Sequence, residues 1–506
     1  MVASPARSKS LSTPERRMPM SARTSAAVTE SARRDQPDAA ALVAAADDAR
    51  PILLRGGAVV TLDPAVGELP TGDVLVRGNR IEAVAPEIPT PPDALVVDTT
   101  GQIVLPGLVD MHRHTWETVL RGVGGDWSLL DYFNQAVGLF GQHFRPEDVY
   151  AANFLAATES LDAGITGLSD WADASFTPDH AEAAAQALED SGIRARFLYS
   201  NVYGPAQSWA TTTHVEKMWA RLGDPDGRVS MGLGIDSTRD PAFPEQAAWH
   251  FAREHGIPVT THGGLFGWDN QHWIRKLADH NLLWPGTSYI HMVAVPDEFF
   301  GLVADSGGNI IMNSLSNMNS GQGYPTLDPV RSHGISISMG TDVDVRYRLD
   351  MFELMRITLA ANSAYDHQRA HRAGHLQPYN VLRHSDVLGY ATAGAARALG
   401  MSDRIGSLTA GKRADISTVR IDDRALSPRF NAAAHLVFQG TRHDVDTVLV
   451  DGRTVKYRGS PSDRRLERAV ALAAESREYL ISKIGEQAIR NSINEPFAPE
   501  GEPVQF

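Results

Sequence analysis

"GLVDMHRH", residues 107–114, sets two histidines one residue apart at the end of an apolar run. Residues i and i+2 of a strand point to the same side, so His112 and His114 face one way and Arg113 faces outward. Seven further apolar runs of similar length follow. They are "GITGLSDW" (164–171), "RARFLYSNVYG" (194–204), "VSMGLGID" (229–236), "IPVTTHG" (257–263), "TSYIHMV" (287–293), "GNIIMNS" (308–314) and "SISMGTD" (336–342). Between them lie amphipathic stretches such as "PEDVYAANFLAATESLDA" (146–163) and "PDHAEAAAQALEDS" (178–191). Strands alternating with helices in this rhythm predict an α/β fold, a (β/α)8 TIM-like barrel over 106–402. A doubly wound sheet is opposed by the lack of a G-x-G-x-x-G after an early strand.

On either side of the barrel the texture changes. "ILLRGGAVVTL" (52–62), "GDVLVRGNRIEAVA" (72–85) and "ALVVDTTGQIVLPG" (94–107) are short strands punctuated by Gly, Asn and Pro. The same texture returns in "GSLTAGKRADISTVRI" (406–421) and "VDTVLVDGRTVKYRG" (445–459). The expectation is a second, small β-sandwich domain formed by both flanks, 51–105 and 403–460, with the barrel inserted between them. Residues 1–50, rich in Arg, Ser, Ala and Pro, lack the apolar centre of a secretory signal. They read as a disordered tail or a start placed too early, with Met18 and Met20 as alternatives; Glu15, Glu30 and Asp35 oppose a transit peptide. The extension 461–506 carries one amphipathic helix with Leu466, Val470, Leu472, Ala473, Tyr479 and Leu480 at helical spacing. It is expected on the outside of the barrel or on a neighbouring subunit, which points to a homo-oligomer.

Composition removes several function classes. A formal charge of −14 over 506 residues opposes binding to phosphate backbones, so no nucleic-acid partner is expected. The absence of cysteine excludes disulfides, iron–sulfur ligation and thiol nucleophiles, and leaves nitrogen and oxygen as the only metal ligands. No apolar run reaches the roughly 18 residues a membrane helix needs, so a cytoplasmic protein with no membrane partner is expected.

In a (β/α)8 barrel the strand C-termini converge on one face, where catalytic groups gather. His112 and His114 end the first strand, His262 the fifth, His291 the sixth and Asp342 the eighth. Three imidazoles and a carboxylate suit one divalent ion, zinc first, with iron or manganese as alternatives. Such an ion lowers the pKa of water towards about 7. Asp342 can both touch the ion and accept the water's proton, and a further histidine near that water can orient it and polarise the substrate. Any one of the eighteen histidines could be structural; an H-x-H pair plus further ligands at strand ends is harder to obtain by chance.

Trp116, Trp171, Tyr203 and Trp268 lie just beyond strand ends and are candidate walls for a planar or apolar small-molecule substrate. Asn313 and Asn317 read as turn residues, and Asp236 as a cap on a loop. His367, His371 and His375 fall at helical spacing without an acidic partner, and read as a polar face.

Taken together, "VLPGLVDMHRHTWE", "THGG", "IHMVAVPDEF", "NSLSNMNSGQGYP", "MGTDVD" and "IGSLTAGKRADI" resemble the amidohydrolase superfamily, in the branch holding cytosine deaminase and the triazine hydrolases. The resemblance runs from about Ile52 to Gly459. It implies a barrel with a flanking β-sandwich, a single metal on His112, His114, His262 and Asp342, and His291 beside the metal-bound water. Binuclear branches place a carboxylated lysine at the end of strand four; "VSMGLGID" has none, so one metal is expected. Deaminases of this branch carry a glutamate three residues after the strand-five histidine, whereas this chain reads "HGGL", with Leu265 at that position. A loop residue such as Asp269 would have to take over its proton shuttle. The resulting expectation is a mononuclear metal-dependent hydrolase of a non-peptide C–N bond in an amide, cyclic amide or N-heterocycle. A metal-dependent decarboxylase or dehydratase, and an inactive scaffold, are the alternatives.

Overall fold

Each barrel strand is apolar almost throughout because helices cover it outside and packed side chains fill the interior, as in other all-parallel sheets. The computed structural model describes residues 36–495, apart from 237, 239, 265–270, 422–425 and 427. The first strands, β1 (Ile52–Val60), β2 (Glu68–Arg77), β3 (Arg80–Ala85), β4 (Leu95–Asp98) and β5 (Gln102–Pro106), build the small domain. The barrel follows as β6 (Leu108–His114), β7 (Ile165–Ala172), β8 (Arg194–Tyr199), β9 (Val229–Gly234), β10 (Val259–Gly263), β11 (Thr287–His291), β12 (Asn309–Met312), β13 (Ser336–Met339) and the short β14 (Asp342–Val343). The chain then returns to the first sheet with β15 (Ile416–Arg420), β16 (Val445–Val450), β17 (Arg453–Tyr457) and β18 (Ser460–Pro461).

The barrel strands pair in sequence order from β6 to β13. Closure comes from β14, which lies parallel to β6 with Asp342 opposite Arg113 and Val343 opposite His114. The seam is tight. A Cβ on Gly340 would stand 2.7 Å from both the nitrogen and the oxygen of the His112 backbone, so only glycine lets the eighth strand pass this close to the first. In the small domain, β1 pairs with β4 through Ile52–Arg55 and with β5 through Ala58–Val59. β5 runs antiparallel to β15, and this pairing joins the two flanks into one sheet, as the returning β texture implied.

Arg113 does point away from the barrel axis, but it is fully buried. Its guanidinium donates to Asp344, to Ser160 Oγ (3.0 Å) and to the Ala156 carbonyl (3.2 Å) on the helix Pro146–Asp162. Thr118 Oγ also donates to Asp344, at 2.5 Å. The pair thus locks β6, the segment after β14 and the covering helix together. From the same helix, Glu159, 3.9 Å from the Arg113 guanidinium, also pairs with Arg442 (2.5 Å), and Asp162 pairs with Lys456 (2.9 Å), tying the small domain to the barrel.

The sequence and the structure differ at the ends. Within 1–50, Ala39–Ala45 form a helix whose Leu42 and Ala45 are buried in the core of the small domain; a hydrophobic side chain with a core to enter overrides a disordered composition. Residues 1–35 lie outside the described residues. The helix Arg465–Ile484 packs on this chain's own barrel, with Leu466, Ala469, Leu472 and Ala473 against Tyr150, Phe154, Leu155 and Ala187. Its apolar face therefore needs no neighbouring subunit. No helix among the described residues is long and apolar enough to cross a membrane.

Replacing Arg113 with Met strands the Asp344 carboxylate in the interior. It is expected to lower unfolding stability by about 3–5 kcal/mol, read by urea denaturation; a change within about 0.5 kcal/mol would show the pair to be dispensable.

Candidate active site

The C-terminal ends of the barrel strands open into a cavity of about 270 Å³, and the histidines sit at its base. The β6 register turns His112 and His114 inward together, with ring centroids 4.9 Å apart. His262 arrives from β10: its Nε2 stands 3.3 Å from His112 Nε2. From β14, Asp342 Oδ1 lies 3.1 Å from His112 Nε2 and 3.6 Å from His114 Nε2. Ligand atoms around a tetrahedral zinc at about 2.0–2.1 Å stand about 3.3 Å from one another, which is the spacing seen here. Two imidazole nitrogens facing each other at 3.3 Å cannot both donate, and a cation between them resolves the conflict. The donor set therefore fits a divalent ion. Two groupings of three residues could each hold an ion, His112 with His114 and His262, and His112 with His291 and Asp342.

Electrostatics favours a cation as well. Burial pushes the His112 and His291 imidazoles down to about 3, so both are neutral ligands or donors. Burial works against charge on His114 too, but Asp173, Glu117 and Asp342 outweigh it and raise that imidazole to about 10. The carboxylates that would hold a proton there equally stabilise a metal ion in its place. For Asp342, burial is outweighed by His112, His291 and His114, which hold the carboxyl well below its ordinary value.

Three of the imidazoles, those of His114, His262 and His291, are oriented from behind, whereas His112 Nδ1 is buried without a hydrogen-bond partner. His114 Nδ1 meets Asp173 at 3.2 Å, and His262 Nδ1 meets Asp236 at 3.1 Å. Asp236 also accepts the His262 backbone N–H at 2.9 Å, so its role goes beyond capping a loop. Carboxylates behind histidines in this way fix the tautomer. His291 Nδ1 lies 3.1 Å from Asn317 Nδ2, which also donates to Gln322 Oε1 at 3.1 Å. In that amide orientation Nδ1 accepts and the His291 proton sits on Nε2. Asn317 is fully buried, so the reading of it as a plain turn residue is corrected; Asn313 does bind the Gly340 carbonyl, at 2.9 Å. His291 and Asp342 both hold left-handed backbone, φ 70° and 72°, a strained state for non-glycine residues that tends to persist at functional sites.

The four aromatic candidates separate. Trp171 lines the cavity and packs edge-on against His262, centroids 4.2 Å apart. Trp116 does not: it is buried against Phe144 in the core, because the 3₁₀ turn Thr115–Leu120 directs it away from the cavity. Tyr203 is half exposed, donates to the Val137 carbonyl and packs on Phe176 outside the lining. Trp268, with Asp269 and Leu265, lies outside the described residues. Sequence reasoning missed Leu129, Tyr132, Phe133 and Trp209, which supply apolar wall instead. It also missed Glu117, which is buried, bonded to the Tyr132 hydroxyl at 2.6 Å and pushed by burial up to about 8. Along the helix Met351–Arg372, His367 and His371 sit on its outer surface, as expected of a polar face; His367 contacts Asn380.

Comparison with known proteins agrees with this arrangement. Residues 103–455 match the profile described as the amidohydrolase family. The chain belongs to that family. A 5-methylthioadenosine/S-adenosylhomocysteine deaminase of Desulforudis audaxviator (strain MP104C) is 30% identical, over 80% of this chain and 93% of that protein. A 5'-deoxyadenosine deaminase of Methanosarcina barkeri (strain Fusaro / DSM 804) is 28% identical, over 80% and 92% respectively. Among solved structures, an adenosine deaminase from Xanthomonas campestris with bound zinc superposes with a TM-score of 0.74 at 23% identity, covering 85% of this chain and 98% of that one. A zinc complex of an atrazine chlorohydrolase mutant from Arthrobacter aurescens TC1 gives 0.72 at 23% identity, covering 84% and 100%. These two support the barrel-plus-flank fold of this amidohydrolase.

Because Asp173 is the carboxylate behind His114, Asp173→Asn is expected to weaken binding of added Zn²⁺ by about 10–100-fold. Competition against a chromophoric chelator reads this; an unchanged affinity would separate Asp173 from the cluster.

Proposed function

We propose that this amidohydrolase uses one divalent ion, zinc, on His112, His114, His262 and Asp342 to hydrolyse a non-peptide C–N bond of a small planar substrate. The observation that carries this reading is the grouping of His112, His114 and His262, with Asp342 Oδ1 3.1 Å from His112 and 3.6 Å from His114, beside a cavity walled by Trp171, Tyr132, Phe133 and Trp209. Zinc is favoured by three imidazoles with one carboxylate and no thiolate. A bound ion would supply Lewis-acid polarisation and lower the pKa of water to about 7.

The chain's own residues provide the rest. Asp342, held ionised, accepts the proton of the attacking water. Neutral His291, its Nδ1 occupied by Asn317, presents Nε2–H to the atom on which negative charge develops. The apolar walls hold a flat ring and exclude bulk water. The nucleoside deaminases among the relatives support an N-heterocycle as substrate, whereas Leu265 argues that the leaving amine receives its proton from elsewhere in the site. Location in the cytoplasm and homo-oligomeric assembly are part of the same proposal; light scattering checks the assembly.

Chelation is expected to abolish turnover and Zn²⁺ to restore it, with one ¹⁸O from labelled water entering the product and an amine or ammonia released. Product free of label would instead indicate elimination or decarboxylation. Asp342→Asn should lower kcat by about 10²-fold or more. Asn317→Leu should lower kcat about 10-fold or more with metal content unchanged in elemental analysis; an unaltered kcat would remove Asn317 from the mechanism.

A further inference from the structure

Among the described residues lining the cavity there is one arginine or lysine, Arg346. It follows Asp342 by four positions, just beyond the barrel seam. Its Nη2 donates to the Ser128 carbonyl at 3.0 Å. The next residue, Leu129, donates its backbone N–H to the Ser320 carbonyl at 3.2 Å. These two bonds gather Arg346, Ser320 and Gln322 into one polar part of a wall otherwise formed by Leu129, Phe133 and Trp209.

Arg346 is half-buried: its Nε and Nη1 are shielded from solvent, and the hydroxyl of Tyr347 lies against the guanidinium. The two buried arginines among the described residues are answered by carboxylates, Arg113 by Asp344 and Arg194 by Asp415 and Asp451, whereas half-buried Arg196 binds the Ala398 and Leu399 carbonyls. The phenol of the adjacent Tyr347 feels the guanidinium, but it is uncharged at ordinary pH and offers no counter-charge. A half-buried guanidinium that lines a substrate cavity and is bonded to a backbone carbonyl is placed to pair with an anion on a ligand.

We propose that Arg346 is the receptor for a carboxylate on the substrate, so that the protein acts on a planar nitrogen compound bearing one carboxylate group. This rests on reading the cavity as the hydrolytic site. A single negative charge is specified because Asp173, Asp236 and Asp342 line the same cavity and repel a dianion such as a phosphate monoester. The apolar wall takes the ring, and Ser320 and Gln322 lie beside the carboxylate as further polar contacts.

The test is isothermal titration of the zinc-loaded full chain with planar carboxylates, each paired with a neutral methyl analogue. The pairs are orotate with 6-methyluracil, nicotinate with 3-methylpyridine, and indole-3-carboxylate with 3-methylindole. At least one carboxylate is expected to bind about 10–100-fold more tightly than its partner. Arg346→Ala should erase that difference while the neutral analogue is unaffected, and Arg346→Lys should retain part of it. The wild-type comparison stands even if a variant fails to fold. Equal or undetectable binding of both members across the panel overturns the proposal. So does a preference that survives Arg346→Ala, which would put the carboxylate on the metal. Hydrolysis is scored separately by amine release and ¹⁸O incorporation. Turnover without carboxylate preference therefore overturns this inference alone, whereas Arg346-dependent binding without turnover supports the subsite and overturns the reaction.

Discussion

The barrel has to close where its first strand meets the residues after its eighth, and the site is assembled at that seam. Asp342 lies opposite Arg113 in the β6–β14 register, which brings its carboxylate to 3.1 Å from His112. The same residue carries a left-handed backbone that an isolated loop would relax. Two features hold it there. Gly340 lets the strands approach, and the buried Arg113–Asp344 pair ties both sides of the seam to the helix behind. A slip of one residue would turn His112 and His114 out of the interior and Arg113 into it. Barrel closure and assembly of the site are therefore one event.

Period-two alternation made much of this legible before any coordinates. It turned His112 and His114 to one side, and strand ends located His262, His291 and Asp342. The split β texture foretold a domain built from both flanks, which the β5–β15 pairing realises. What sequence could not give was direction after a strand ends. Trp116 stands two residues past His114 and was read as substrate wall, but a 3₁₀ turn sends it into the core. Asp173 comes behind His114 through a turn and Asn317 behind His291 from the short helix Ser314–Asn319, and in sequence such an Asp or Asn looks alike whether it caps a turn or orients a ligand.

The part of the cavity around the histidines is polar, whereas much of its wall is apolar. Asp173, Glu117, Asp342 and Asp236 surround four imidazoles. Such a set is strongly unfavourable without a cation, because carboxylates buried side by side raise one another's proton affinity. Glu117 is carried up to about 8 chiefly by burial, with Asp173 and Asp342 adding to it. The cluster is consistent as a ligand set for a dipositive ion and hard to account for as a purely structural core.

The cross-links between the small domain and the barrel bear on how far this protein is modular. Arg442 and Lys456 belong to the returning flank, yet they neutralise Glu159 and Asp162 on the helix whose Ser160 and Ala156 hold Arg113. Two salt-linked steps thus connect the outer sheet to the seam. A barrel cut free of its flanks would keep every candidate ligand while losing the counter-charges behind them. The flanks and the barrel are therefore joined by charge as well as by packing, and a flank grafted from a relative would have to supply partners for Glu159 and Asp162.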